Sequence, residues 1–399
     1  MSVVLPTNRD ENWRYANLRP LAKARVEEAR PANALTRPNP PPALPGYQRW
    51  QFSDGHFTVS DASADARTKL LDARAAGESF AALLDADLSS AGVDFSLARI
   101  NAARGDDVLQ IELPDDSSPL HLELLFFATT SSADGTSYPR VQIVAGRNTR
   151  LRLVERHLSS RDIDAAVNGA FDILLRPGAI LEHVRVQNCS ATSAVFDTLV
   201  AHVADAAQYR LRSMTLGGLT SRTTAFIKLA GRGARCELAA ASVANGIQTH
   251  DFFAEIEHVA PDTVTRELYR GIAADRGKLG FSGKIVVRES AHGADSGQSL
   301  KSLLTGSGAE ASVRPQLEIY TDRVRAQHGA TTGKLDEQML FYLLSRGIDR
   351  RTAQTLLQWA FIEDAVSRVD CAELRTEIET LIAAQLNEVS ALEGLLGKQ

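Results

Sequence analysis

Apolar and polar residues alternate with a period of two through most of the middle of the chain, beginning at Val108-Leu109-Gln110-Ile111-Glu112-Leu113. The pattern recurs at Ile180, Val184 and Val186 and at Leu279, Phe281, Ile285 and Val287, as strands with one buried and one wet face require. Three segments, from Gly169 to His183, from Ala194 to Leu211 and from Thr224 to Leu238, each read as a strand, a tight turn rich in Gly, Ala or Asp, and a second strand. The turns fall near Gly146, Gly178, Asp205, Gly233 and Asp262, a period of roughly 27–32 residues that belongs to solenoids. One such unit cannot bury its apolar face alone, whereas stacked units give each face a neighbour. No helices of about 10–15 residues separate the strands, so an α/β fold is excluded. On pattern alone a β-sandwich stays open.

The flanks carry a different texture. Residues 1 to about 30 read as helical, with Trp13, Tyr15, Leu18 and Leu21 as the apolar stripe. Pro31 to Pro45 form a proline-rich linker. Helical patterning returns from Ala62 to Leu88, with Ser60 or Asp61 as its cap. Beyond Gly333, Asp336 is positioned to cap a short helix that Gly347 ends, and Asp349 to cap a longer one with Ala353, Leu356, Leu357, Ala360, Phe361, Ala365 and Val366 on one side. A third helix is predicted from Ala372 to about Leu392. The expected organisation is a mainly helical region over 1–105, a β-solenoid core over 106–334 and a small helical domain over 335–399.

Composition narrows the chemistry. A net charge of −5 provides no nucleic-acid footprint, and no apolar run approaches the ~20 residues of a membrane span. The first ten residues lack a signal-peptide pattern, so the expected location is cytoplasmic. Three cysteines, Cys189, Cys236 and Cys371, lie far apart, which excludes a disulfide framework and a CxxC knuckle. An iron–sulfur cluster usually takes four ligands, mostly thiolates, so this chain alone is a poor cluster holder. GxxxxGK[ST], HExxH and GxSxG are all missing, so the sequence carries no P-loop, zinc-protease or serine-hydrolase signature.

An ordered set of motifs then narrows the family. Thr265-Arg266-Glu267-Leu268-Tyr269-Arg270-Gly271-Ile272 is followed by Asp275-Arg276 and by Phe281-Ser282-Gly283-Lys284-Ile285-Val286-Val287-Arg288. Next come Pro315-Gln316-Leu317-Glu318-Ile319-Tyr320, His328-Gly329-Ala330-Thr331-Thr332-Gly333-Lys334-Leu335-Asp336-Glu337, Leu340-Phe341-Tyr342-Leu343 and Ser345-Arg346-Gly347-Ile348. No piece is decisive alone, but the set in this order resembles the SufD family, with weaker similarity back to about Val108. The paralogous SufB pattern would show His-Glu-Ala where this chain has His328-Gly329-Ala330, and more cysteines. The resemblance implies a mainly β protein: a right-handed parallel β-helix core with a helical N-terminal region and a small helical C-terminal domain. It implies a non-catalytic subunit that pairs with SufB through the β-helix edge and with the ABC-type ATPase SufC through the C-terminal helices. No cofactor would be held stably by this chain alone, and a transient iron–sulfur cluster would form at the SufB–SufD interface.

Within that frame His328 is the candidate metal ligand, since neutral imidazole binds iron well. Many relatives carry a cysteine two positions earlier, where this chain has Ala326, so the remaining ligands would come from SufB. A histidine beside Gly329-Ala330-Thr331 also reads as an ordinary turn residue. Phe341, Tyr342, Trp359 and Ile362 are the candidates for docking SufC, with Trp359 and Ile362 off the main helical stripe and expected to be exposed. Arg266, Glu267, Asp275, Arg276 and Lys284 read as ion pairs at the rim of the β-helix. Cys236 reads as a small core residue, and Cys371, at a helix start, as a thiol with a lowered pKa. Two other classes compete: a SufB-like self-sufficient scaffold, which the few cysteines disfavour, and a carbohydrate-active β-helix enzyme, which would need paired carboxylates in a groove.

Overall fold

The computed structural model describes residues 5–27, 29, 40–60, 67–88, 92–105 and 107–386. Its centre is a parallel β-solenoid made of two ten-stranded sheets. Each coil gives one strand to each sheet. The first sheet takes Ala166–Leu175, Ala194–Val203, Thr220–Leu229, Thr249–His258, Lys278–Val287 and Glu310–Ile319. The second takes Ile180–Asn188, Gln208–Thr215, Arg235–Ala244, Val264–Ala273, Ala294–Leu304 and Val324–Gly333. This stacking removes the sandwich alternative.

Register explains why the coils stack. Ile173, Ala201, Ile227, Ile256 and Ile285 lie directly above one another in successive coils, and all are fully buried. A single apolar cluster fills the lumen from Trp50 to Leu300. Each inward methyl group therefore rests on its counterparts in the coils before and after it.

One corner sets the phase of the coils. Asp116, Asn148, Gly178, Ala206, Gly233, Asp262 and Gly293 all have positive φ, one in each successive coil. Every one of them donates its backbone N–H to a carbonyl of the next coil, those of Arg147, Pro177, Asp205, Arg232, Pro261, His292 and Arg323, at 2.7–3.1 Å. The turns legible in the sequence sit at or beside this corner. Glycine is favoured at Gly178, where positive φ coincides with a Cβ position 2.4 Å from Asn148 Oδ1.

The N-terminal region differs from the helical expectation. Among the described residues before Gln48 only one turn at Glu11–Trp13 and a short helix at Arg19–Lys23 form. Trp13 anchors that segment instead of a helical stripe: its indole N–H donates to Asp94 at 2.8 Å and the Arg222 guanidinium lies 4.6 Å from its ring. Gln48–Ser53, His56–Ser60 and Thr68–Asp72 are strands, because Trp50, Phe52 and Phe57 form an aromatic group that closes the lumen. The helix expected from Ala62 spans Ala73–Leu88, and Asp72 rather than Ser60 or Asp61 accepts the N–H of Ala75 at 2.9 Å. Most of the proline-rich linker, and the third C-terminal helix beyond Leu386, lie outside the described residues.

The C-terminal helices are Glu337–Ser345, Arg350–Val366 and Ala372–Gln385. Asp336 and Asp349 cap the first two through their carboxylates, and Gly347 follows the first in the left-handed conformation. They do not make a core of their own. Ile362, Ala365, Val366, Val369, Leu374, Ile378 and Ile382 share one apolar cluster with Val154, Val186, Met214, Ala241, Val243, Ile272 and Leu303 on the outer face of the second sheet. Arg156–Glu377 at 2.9 Å and Arg270–Asp364 at 2.5 Å pin the seam.

The corner ladder makes a paired prediction. Ala206 is exposed and bears the steric cost of the left-handed conformation, so Ala206→Gly should stabilise the protein by about 0.5–1 kcal/mol. Gly178→Ala should destabilise it. Urea unfolding of the two variants checks the opposite signs.

Candidate functional site at the open end of the solenoid

The two ends of the solenoid are finished differently. At the N-terminal end the antiparallel strands His56–Ser60 and Thr68–Asp72 terminate the sheets. At the other end Glu310–Ile319 and Val324–Gly333 each pair on one side only, with Lys278–Val287 and Ala294–Leu304. Their outer backbone N–H and C=O groups form two free edges, which template further strands. The cross-section of the lumen is open as well. Alternation turns Val313, Pro315 and Leu317 inward from one strand and Ala326, His328, Ala330 and Thr332 from the other, above Phe281, Gly283, Ile285, Ser296, Gln298, Leu300 and Ser302. The equivalents of these residues one coil back are mostly buried, whereas the last strand is exposed along its length.

His328 thus sits at the mouth of the lumen, on the inward face of the last strand rather than in a turn. Ala326 shares its face two positions away, about 7 Å along the same strand, so the inward neighbour of His328 there is a methyl group rather than a thiol. Among the described residues no group of three His, Cys, Asp or Glu side chains is placed to hold a metal ion.

Beneath His328 the lumen is polar. Gln298 occupies the same position one coil down and Glu267 the position below that. Gln298 Nε2 donates to Glu267 Oε2 at 2.5 Å and to the Gly283 carbonyl at 2.9 Å. Burial pushes the Glu267 carboxyl up to about 7, against the lowering effect of the Gln298 amide. Glu267 is therefore a lumen residue, not part of a rim ion pair. Inward alternation carries it inside while its neighbour Arg266 stays outside and pairs with Asp295 at 2.9 Å. Lys284 bridges Glu255 and Glu318 at 3.3 and 3.1 Å on the outer face of the first sheet.

The second exposed surface is on the helix Glu337–Ser345. Leu340 packs inward, while Met339, Phe341 and Tyr342 are 51%, 72% and 51% exposed and Arg346 lies 5.2 Å from the Tyr342 ring. The sequence reading missed Met339. It also misplaced Ile362, which is fully buried where its helix meets the outer sheet face, and Trp359 packs partly against the same cluster. Both lie off the stripe read from the helix alone because the sheet supplies a second apolar neighbour.

Cys189 and Cys236 are buried, Cys236 within the lumen cluster as expected, and burial pushes both thiols up. Cys371 stands at the start of its helix, yet burial, with the Glu373 carboxylate beside it, raises its pKa and reverses the lowering expected from position.

The fold and its free end define a parallel β-solenoid with two free edges, flanked by C-terminal helices. A family model described as SUF system FeS cluster assembly, SufBD core domain, matches residues 127–361, more than half of the chain. Iron-sulfur cluster assembly protein SufD of Escherichia coli is 27% identical over 96% of this chain and 89% of its own length. An iron-sulfur cluster assembly SufBD family protein of Synechocystis is 25% identical over 72% of this chain and 66% of its own length, and the chloroplastic protein ABCI7 of Arabidopsis thaliana is 26% identical over 70% and 60%. The chain belongs to the SufD family of iron–sulfur cluster assembly proteins.

The raised pKa of Glu267 carries a pH dependence. An unfolded glutamate ionises near pH 4.5 and the buried one near pH 7, so the folded state holds the extra proton between those values. This site's contribution is fully present below about pH 4.5 and is lost as pH rises to about 7. Glu267→Gln should therefore be more stable than the parent at pH 8, by on the order of 3 kcal/mol, with that advantage gone near pH 4. Denaturant unfolding at both pH values measures the difference.

Proposed function

We propose that this chain is the non-catalytic SufD-type subunit of a cytoplasmic SufB–SufC–SufD scaffold on which iron–sulfur clusters are built. Its open solenoid end takes SufB, whose strands continue both ladders and close the lumen. Its exposed helical patch, Met339, Phe341 and Tyr342, takes the ATPase SufC. The observation that carries the reading is the unfinished last coil, where free backbone edges and an exposed core cross-section coincide. A paralogue of the same fold supplies what that end lacks: strand partners for the edges and inward side chains for the cavity. Aromatic residues on a short capped helix make a compact anchor of the kind that concentrates binding energy.

The nascent cluster is cargo on this reading. His328 faces the joint from this side and offers one imidazole nitrogen to iron, and thiolates from SufB complete the ligand set, since Ala326 offers none. No described helix is long and apolar enough to cross a membrane. The reading includes neither a membrane anchor nor a nucleic-acid partner.

Co-expression with a SufB-type and a SufC-type subunit separates the two surfaces. Ala330→Glu buries an unpaired charge in the joint and should weaken SufB pairing by at least about 100-fold while SufC still co-purifies. Phe341→Glu should give the opposite pattern. The reading fails if the parent chain ignores both subunits or if either substitution leaves its own partner bound at parental affinity.

A further inference from the structure

The polar column under His328 is built more closely than a generic lumen requires. Glu267, Gln298 and His328 follow one another in register in three successive coils of the second sheet. Neighbouring parallel strands lie about 4.8 Å apart, so the tips of adjacent side chains in such a column are within hydrogen-bond reach. Both N–H groups of the Gln298 amide are directed at fixed acceptors, Glu267 Oε2 and the Gly283 carbonyl. Turning the amide over would set its oxygen against that carbonyl, two acceptors face to face, so the orientation is determined by its surroundings. Gly283 leaves room for the arrangement: a Cβ there would stand 2.3 Å from Glu267 Oε2 and 2.8 Å from Gln298 Nε2.

The remaining polar atom of that amide is unused. Gln298 is 5% exposed, and its Oε1 is buried with no hydrogen-bond partner among the described residues. A buried acceptor without a donor is costly, so a donor reaching it from the coil above is favoured. In the coil above, the register partner of Gln298 is His328. A neutral imidazole has one N–H donor and one lone-pair nitrogen, and the partner of the first decides where the second points.

We propose that Gln298, anchored by Glu267 and Gly283, is the positioning residue for His328: its Oε1 accepts the imidazole N–H and turns the other ring nitrogen, lone pair free, toward whatever closes the open end. This rests on the reading of that end as the partner face. In the isolated chain water competes for the exposed ring. Once a partner covers the end, the Gln298 acceptor selects one tautomer and one ring orientation. The same logic operates at metal sites, where a ligating histidine gives its second N–H to an amide or carboxylate oxygen behind it.

The test is ring-nitrogen NMR on the full chain labelled at histidine, in complex with its SufB-type subunit, with the His328 signals assigned by their loss in His328→Ala. The parent complex should show a single tautomer at His328. Gln298→Met, similar in size but without the oxygen, should return it to the mixture of an unconstrained imidazole. Gln298→Asn, which draws the acceptor back by one methylene, should do the same and stands in if the first variant folds poorly. In parallel, ferrous iron binding to the complex should weaken about 10–100-fold in the Gln298 variants and disappear in His328→Ala. An unchanged tautomer in a folded Gln298 variant overturns the positioning role. A shifted tautomer with iron binding intact in His328→Ala keeps the positioning role and instead removes iron from the proposed function.

Discussion

In-register stacking of parallel coils is the constraint on which the rest of this molecule depends. A strand in the middle of the solenoid finds its backbone partners on both sides and its inward side chain between two equivalents, as Ile227 does between Ala201 and Ile256. The left-handed residues at one corner lock the phase, because each donates to the coil that follows. Such a stack has no natural end. Whatever one coil gains, it gains from the next, and the last coil is necessarily incomplete. The antiparallel strands and aromatic group near Trp50 solve the problem within the chain at one end, and at the other it is left to a second molecule in the proposed function.

The same constraint explains how charge is tolerated inside. Glu155, His183 and Arg185 are buried in the lumen, with Arg185 also 3.2 Å from Asp197. Burial pushes the Glu155 carboxyl up, but the Arg185 guanidinium and the His157 and His183 rings outweigh it and hold the group well below the usual carboxylate range. Gly169 lacks the Cβ that would press on Asp197 Oδ1. A slip of register would set these groups against apolar rungs, so the network penalises misaligned coils more than it adds to stability. Glu267 and Gln298 are a smaller instance nearer the open end, where one oxygen of each is left without a partner.

Much of this was legible because the repeat is periodic. The turns at Gly178, Asp205, Gly233 and Asp262 and the alternation around Phe281 and Ile285 specify stacked coils once the period is seen. The caps Asp336 and Asp349 are local signals and sit where the sequence puts them. What failed depends on tertiary neighbours. Trp13 reads as a member of a helical stripe, but it packs under Arg222, a partner far away in sequence. Ile362 reads as exposed only while its helix is considered without the sheet it covers. The motifs led to His328, whereas Glu267 and Gln298 become visible as its column only when the chain is folded back on itself one coil at a time.

The C-terminal helices and the open end keep apart for a reason found in the outward residues of the second sheet. Val154, Val186, Met214, Ala241, Val243, Ile272 and Leu303 form an apolar strip that needs cover, and the C-terminal helices supply it. The strip stops at Leu303. In the last strand the outward positions are Arg325, Gln327, Gly329 and Thr331, which offer a helix no apolar face to bury against. The helices accordingly stop short of the terminal coil, and its edge stays free. Only Lys334, Leu335 and Asp336 separate that edge strand from the helix bearing Phe341 and Tyr342. Two surfaces of different character, one of backbone and core cross-section and one of aromatic side chains, are thus joined by three residues yet kept distinct by a single change from apolar to polar between adjacent coils.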